Sequence, residues 1–341
     1  MRILVDAMGG DNAPDALVNG CLAAVHDTQG FEIVLLGDKK KIESMIAKEK
    51  CDFARISIRH CEQVITGDDM PVQAIRVKKD SSMIRGLNML KAKEGDVFLS
   101  AGNSGALMAG SLVILGRDQA IDRPALAALL PTRTGACLLV DAGLNTNCKP
   151  LNLIQFAHMG SIYAQEVLGL AKPRVGLLNV GTEENKGNDT VKKVYQILSR
   201  QNINFIGNIE SKELLYGASD VLVADGFTGN MVLKAIEGSA SYVLESVKTV
   251  FSRNMISKLA AALVLRDFKR LKKRLDADEH GGAPILGING LVVKSHGSSN
   301  SNTIKHAVLR AFRLASSTFR QRIYEMGKEL AVNIDNDMLV I

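Results

Sequence analysis

Short runs of Ile, Val and Leu alternate along the chain with longer stretches in which apolar residues recur every three or four positions. The short runs are Ile3 to Val5, Glu32 to Leu36, Ile56 to His60, Val97 to Ser100, Cys137 to Val140, Val175 to Val180, Asn204 to Ile206, Val221 to Ala224 and Leu291 to Lys294. Most have the length and composition of a buried strand, and several end in Gly, Asp or Asn. Strands alternating with helical stretches predict an α/β chain: a mostly parallel sheet with helices on its faces. At 341 residues, one large domain over 1–341 carrying an insertion is the first expectation.

Two patterns recur. Asp96-Val-Phe-Leu-Ser-Ala-Gly-Asn-Ser-Gly105 and Asp220-Val-Leu-Val-Ala-Asp-Gly-Phe-Thr-Gly229 share D-V-x-[LV]-[SA]-x-G-x-[ST]-G, each a strand, a glycine turn and a helix start. Leu4-Val-Asp-Ala7 is echoed by Leu139-Val-Asp-Ala142. Ligands of open α/β sheets bind at the carboxyl ends of strands, so these tips are expected to converge on one crevice. The plain alternative is that strand-to-helix turns simply need glycine.

Candidate chemistry sits at these tips. Gly102, Asn103, Ser104 and Gly105 open a helix with small residues, leaving N–H groups free for an anion. The Walker spacing is absent, and no acidic residue completes a dinucleotide fingerprint, so nucleotide binding is weakly supported. In the loop Gly181 to Asn188, Lys186 is placed to hold a phosphate as a point charge or else is a solvated loop lysine, and Asn188 caps the next helix. Asp225, Thr228 and Asn230 form a third tip, with Thr228 and Asn230 as donors; His296, amid hydroxyls, ends a fourth. Asp6 and Asp11 flank a double glycine and fit turn and cap roles better than metal binding, since no third ligand is evident.

Composition narrows the class. The chain opens directly into a strand with no leader, which argues against export. Its longest apolar run, Leu259 to Leu265, is far short of the roughly 20 residues that span a bilayer. Five cysteines with no C-x-x-C spacing argue against disulfides and zinc and suit a reducing cytoplasm. The net charge of +6 is uneven: Arg253, Lys258, Arg266, Lys269, Arg270, Lys272, Lys273 and Arg274 face one acid, Asp267. With Phe251, Met255, Leu259 and Leu263 four apart, the region 246–280 reads as a protruding amphipathic helical segment. It suits an acidic protein, a membrane surface, or plain packing on the core or a second subunit. Nucleic acid is not indicated, because the positive charge lacks interleaved aromatics.

Several segments resemble the bacterial acyl-ACP:phosphate acyltransferase family: Asp6-Ala-Met-Gly-Gly-Asp11, Ser81-Ser-Met83, Ser100 to Leu107, Arg123-Pro-Ala125, Gly207-Asn-Ile-Glu210, Asp225 to Asn230, Gly281-Gly-Ala-Pro284 and His296-Gly-Ser-Ser299. They follow the family's order; Leu144 stands where the family usually has Ala. The resemblance implies a three-layer α/β/α, Rossmann-like doubly wound fold, a homodimer and no nucleotide cofactor; no cofactor or metal is expected. It also implies acyl carrier protein as donor, membrane-surface association of a cytoplasmic enzyme, and an acyl phosphate passed to a membrane glycerol-3-phosphate acyltransferase. Chemistry then assigns roles. Asn103, Ser104 and Lys186 bind phosphate with the 102–105 turn, and Asn230 and His296 serve the thioester. Asp6, Asp225 and Thr228 line the crevice, while Arg253, Lys258, Leu259, Leu263, Lys269, Arg270, Lys272 and Lys273 contact carrier protein or membrane. An acyl-cysteine route through Cys137 or Cys148 lacks a matched His and Asp. The rivals are a phosphotransacetylase-like enzyme, an isocitrate-type dehydrogenase, for which metal carboxylates are missing, and a non-enzymatic membrane sensor.

Overall fold

The computed structural model describes residues 1–47, 53–275 and 282–338; side chains at 53, 265, 269, 271–275 and 331–338 fall outside the described set. Eleven strands among these residues form one sheet. They are β1 (Arg2–Asp6), β2 (Glu32–Gly37), β3 (Ile56–His60), β4 (Val97–Ser100), β5 (Ala125–Thr132), β6 (Gly135–Val140), β7 (Val175–Asn179), β8 (Phe205–Glu210), β9 (Val221–Val223), β10 (Ala283–Leu286) and β11 (Val292–Lys294). All nine expected strands are present. β8 continues past Ile206 because the β7–β8 register gains a residue there, taken up at Gly207 with φ +93°, a glycine-type bulge.

β5 and β10 are the unexpected strands. Ala and Leu dominate β5, and each strand contains a proline, Pro131 or Pro284, so neither looks like a central strand. Their presence reverses the sheet. The strand order is β3-β2-β1-β4-β11-β10-β5-β6-β9-β7-β8. β1 to β4 and β11 are parallel neighbours; β11–β10, β10–β5 and β5–β6 are antiparallel. Three reversals leave β6, β9, β7 and β8, parallel among themselves, running opposite to the first five strands. The tips therefore leave the sheet at two ends, which corrects the expectation of one crevice.

Helices cover both faces, giving the three-layer α/β/α arrangement. One face is a single continuous core under α1 (Asp15–Asp27), α2 (Lys39–Ile46), α6 (Pro150–Glu166), α7 (Asp189–Leu198), α11 (Ser301–Ser316) and α12 (Phe319–Met338). The other is divided. One patch lies under α3 (Pro71–Val77), α4 (Ser82–Lys91) and α5 (Ser104–Gly110), the second under α8 (Ser211–Leu214) and α9 (Gly226–Ser252), with Leu126 of β5 touching both. At 27 residues α9 is about 40 Å long. Beyond Gly229 it exposes Met231, Tyr242, Val243 and Val250, and it packs against α10 (Met255–Leu275), which exposes Met255, Ile256, Leu259 and Leu263. No helix among the described residues is long and apolar enough to cross a membrane.

Close approach decides one glycine in the first half. A β-carbon at Gly86 of α4 would lie 2.2 Å from Phe98 Cε2 of β4. Gly86→Ala is expected to lower stability by about 1–3 kcal/mol, read from the urea midpoint. Gly238→Ala, with nothing within 4 Å, should leave that midpoint level or raise it by up to about 1 kcal/mol.

Candidate active site

The sequence repeat is a structural repeat built around two buried carboxylates. Asp6 ends β1 beside β4, and Asp141 follows β6 beside β9. A β-carbon at Gly102 would lie 3.3 Å from Asp6 Oδ2, and one at the matching Gly226 would lie 2.8 Å from Asp141 Oδ2. A β-carbon at Gly229 would sit 2.0 Å from the Asp141 carbonyl. These turns are glycine-rich because backbone packs onto an aspartate, whatever else they bind.

At the first end, Ser100 Oγ donates to Asp6 at 2.7 Å and Met8 N at 3.2 Å, while burial pushes the carboxyl up from the usual range. Asn103 caps α5, its Oδ1 accepting from Ala106 N at 3.0 Å. Its Nδ2 donates to the carbonyls of Thr66, Gly67 and Asp69 at 3.0–3.2 Å. Both N–H bonds of that amide are committed, so Asn103 has none left for phosphate, a correction to its expected role. Gly102 N likewise donates to Ser100 Oγ, at 3.1 Å. The Ser104 hydroxyl has no partner among the described residues. His296 is exposed, with Nδ1 2.8 Å from Ser298 Oγ, and its loop is stitched to the N-terminal segment by Asp11 N to Gly297 O and by Asn12 Nδ2 to the Ser298 and Ser299 carbonyls.

At the second end, Asp141 accepts from the N–H groups of Leu126, Gly143, Leu144 and Asn145 and from Asn145 Nδ2, at 2.7–3.1 Å. Burial pushes its carboxyl up and these donors pull it back. Every contact is a donor, so the loop is built for the ionised form. Asp225 caps α9, accepting from Thr228 N at 2.9 Å and Thr228 Oγ1 at 2.7 Å. The Thr228 hydroxyl thus donates its one hydrogen bond to Asp225 and is engaged in the cap, where a donor to substrate was expected.

Lys186 and Asn230 are placed differently. Asn179 Nδ2 donates to the Lys186 carbonyl at 3.0 Å, Asn208 Nδ2 to the Glu183 carbonyl at 2.8 Å, and Asn188 caps α7 as expected. The loop is thereby fixed, while among the described residues Lys186 Nζ has only Glu183 at 3.8 Å, an exposed pair of little energy. Asn230 lies against Gly143, where a β-carbon would be 3.3 Å from its Oδ1, and its amide has no hydrogen-bond partner among the described residues. Because β7 and β9 pair with Leu177 opposite Val223, the Lys186 loop and the α9 start leave the sheet side by side.

Lys186, Asp225, Thr228 and Asn230 therefore share one end, and Asp6, Gly102 to Gly105 and His296 the other. His296 and Asn230 are not brought together as thioester partners, nor Lys186 with Asn103 and Ser104 as phosphate ligands. Burial pushes the Cys137 thiol up to about 12 and that of Cys148 to about 11, so both are protonated near neutrality. Among the described residues no group of three potential ligands could hold a metal. Arg253, Lys258, Leu259, Leu263 and Arg270 lie exposed or half-exposed on or beside α9–α10; the side chains of Lys269, Lys272 and Lys273 lie outside the described set. Sequence reasoning assigned no role to Arg123, which stands before β5 at the second end; with β5 unrecognised, nothing tied it there.

The family model described as fatty acid synthesis protein matches residues 1–322. The phosphate acyltransferase of Acetivibrio thermocellus is 52% identical over 339 residues, covering 99% of this chain and 100% of that protein. The phosphate acyltransferase of Thermoanaerobacter pseudethanolicus is 47% identical over 336 residues, covering 97% and 100%. Among solved structures, a phosphotransacetylase from Streptococcus pyogenes superposes with TM-score 0.60 at 15% identity, covering 93% of this chain and 94% of that one. A branched-chain phosphotransacylase from Enterococcus faecalis V583 gives 0.58 at 15%, covering 93% and 99%. At such identity the structural likeness speaks to the fold alone. The sequence matches decide the family: the chain belongs to the fatty acid synthesis proteins, its relatives here are phosphate acyltransferases, and it is an acyltransferase.

Proposed function

We propose that this acyltransferase moves a long-chain fatty acyl group from acyl carrier protein to inorganic phosphate, giving an acyl phosphate for phospholipid synthesis. The observation that carries the reading is the second strand end, where Asp141 and Asp225 are already satisfied while Lys186 and Asn230 keep donors without a close partner among the described residues. An anion placed there gains bonds without breaking the fold's own.

The reaction asks little covalent help of the protein. Phosphate is the nucleophile, and a carrier thiolate of pKa ~8.5 is a good leaving group. The phosphate oxygen–carbon bond forms as the carbon–sulfur bond breaks, with the electron pair leaving on sulfur. The site must hold phosphate ~3–3.5 Å from the carbonyl carbon and meet the developing oxyanion with a fixed donor. We assign phosphate to Lys186 and the oxyanion to Asn230, which share the second strand end; Ser104 and His296, at the other end, take no part in this assignment. The exposed apolar residues of α9–α10 with Arg253, Lys258 and Arg270 support contact with a membrane surface, with carrier protein or across a homodimer. A cytoplasmic, peripherally membrane-associated enzyme would hand its reactive product to a membrane glycerol-3-phosphate acyltransferase.

Incubation with palmitoyl carrier protein and phosphate, followed by hydroxylamine trapping, tests the reaction. Phosphate-dependent hydroxamate together with free carrier thiol is expected; thiol release without phosphate dependence would mean a thioesterase. Lys186→Ala and Asn230→Ala are expected to lower kcat/KM for phosphate by about 10²-fold or more. Asn103→Ala should leave phosphate KM within about threefold while costing about 1 kcal/mol of stability through its lost cap. Cys148→Ala should keep turnover within about threefold, because a thiol pushed up to about 11 is not a thiolate at neutral pH. A loss of about 10³-fold there would establish a covalent route instead.

A further inference from the structure

Arg123 carries an unassigned positive charge into the second strand end. β5 begins two residues after it and pairs antiparallel with β6, Ala127 opposite Val140, so Arg123 is level with the Asp141 loop. The backbone is held on both sides. Asp122 N donates to Gln155 Oε1 at 2.9 Å and Asn152 Nδ2 donates to Asp122 Oδ2 at 2.7 Å. Asn145 Nδ2 donates to the Pro124 carbonyl at 2.7 Å. The same Asn145 closes on Asp141 through its N–H and amide, and its carbonyl accepts from Gly226 N at 2.6 Å. One asparagine thus ties the Arg123 segment to the buried carboxylate and to the first turn of α9.

Arg123 is exposed and has no hydrogen-bond or ion-pair partner among the described residues. Arg117, Arg174 and Arg322 by contrast each bind a carboxylate at 2.8–3.6 Å. Pro124, its neighbour in the chain, is bonded to Asn145, whose carbonyl meets Gly226 N at the first turn of α9, so the Arg123 side chain starts from the β6–β9 end of the sheet, near enough for its charge to be felt at Cys148. A merely solvated arginine needs neither a backbone locked on both flanks nor that position. Asp141 and Asp225 are held by their own donors and leave the guanidinium unneutralised.

We infer that Arg123 is a phosphate-binding residue of the acyl transfer, its planar guanidinium taking two oxygens of inorganic phosphate while a third attacks the thioester carbon. The inference rests on the placement of phosphate beside Lys186 and Asn230. Arg123 offers two parallel donors where Lys186 offers a point charge, fixing the orientation of the nucleophile as well as its charge. It gives up no proton, since guanidinium stays charged throughout; its work is to hold a dianion beside two carboxylates.

The test compares Arg123→Gln, Arg123→Lys and Lys186→Ala by KM for phosphate, KM for the acyl carrier donor, and binding of radiolabelled inorganic phosphate in equilibrium dialysis. Arg123→Gln is expected to raise phosphate KM about 10- to 100-fold, weaken dialysis binding in step, and leave donor KM within about threefold. Arg123→Lys should recover part of the loss. The thermal midpoint should not move, because the guanidinium makes no bond among the described residues. Unchanged phosphate KM in Arg123→Gln, with a rise in Lys186→Ala, would overturn the role of Arg123 alone. No rise in either variant would overturn the phosphate site with it, and an equal rise in both Michaelis constants would mark Arg123 as a general structural residue.

Discussion

A carboxylate buried at a strand end must find donors or give up its charge, and Asp141 finds five, four from backbone and one from Asn145. The second half of the molecule is arranged around that requirement. The loop must curl so that its N–H groups point inward, with Gly143 at φ +134°. The neighbouring turn must come close enough that Gly226 and Gly229 tolerate no side chain. Leu126 N joins from β5, so the same carboxylate ties the antiparallel strand to the parallel ones.

The consequence for function is a separation of charge roles. Fold-forming carboxylates are sealed by donors that never leave them, and Asp225 is closed by the cap it makes for α9. Lys186, on a loop clamped by Asn179 and Asn208, and Asn230, pressed on Gly143, are donors with spare hydrogen-bonding capacity at this end, each on fixed backbone. Rigid donors that do not reorganise are what a reaction developing negative charge requires. The first end, built on the same repeat around Asp6, has turned its Asn103 amide to anchoring the Thr66–Asp69 loop.

Much of this was legible in the sequence. Nine strands stood out by apolar runs, and the two repeated motifs marked the two turns that pack on aspartates. Two things were not. β5 and β10 are rich in Ala, Leu and Pro, residues that do not announce a strand, and without them the reversal of direction was invisible; Lys186, Asn103 and His296 looked like neighbours for that reason. The second gap is hydrogen-bond commitment. Asn103 and Thr228 have the right side chains for substrate, but their partners are set by a loop 34–37 residues away in one case and a cap in the other. Spacing alone does not reveal which polar groups are already taken.

Location of the anion itself tests the central claim most directly. Crystals soaked with tungstate, a heavy stand-in for phosphate, give an anomalous peak whose position needs no kinetic interpretation. A peak within about 3–4 Å of Lys186 Nζ and the Asn230 amide, at the β6–β9–β7 end of the sheet, is expected. A peak at Ser104 and Gly105 beside His296, with the Lys186 end empty, would contradict it and return the phosphate to the first half of the repeat.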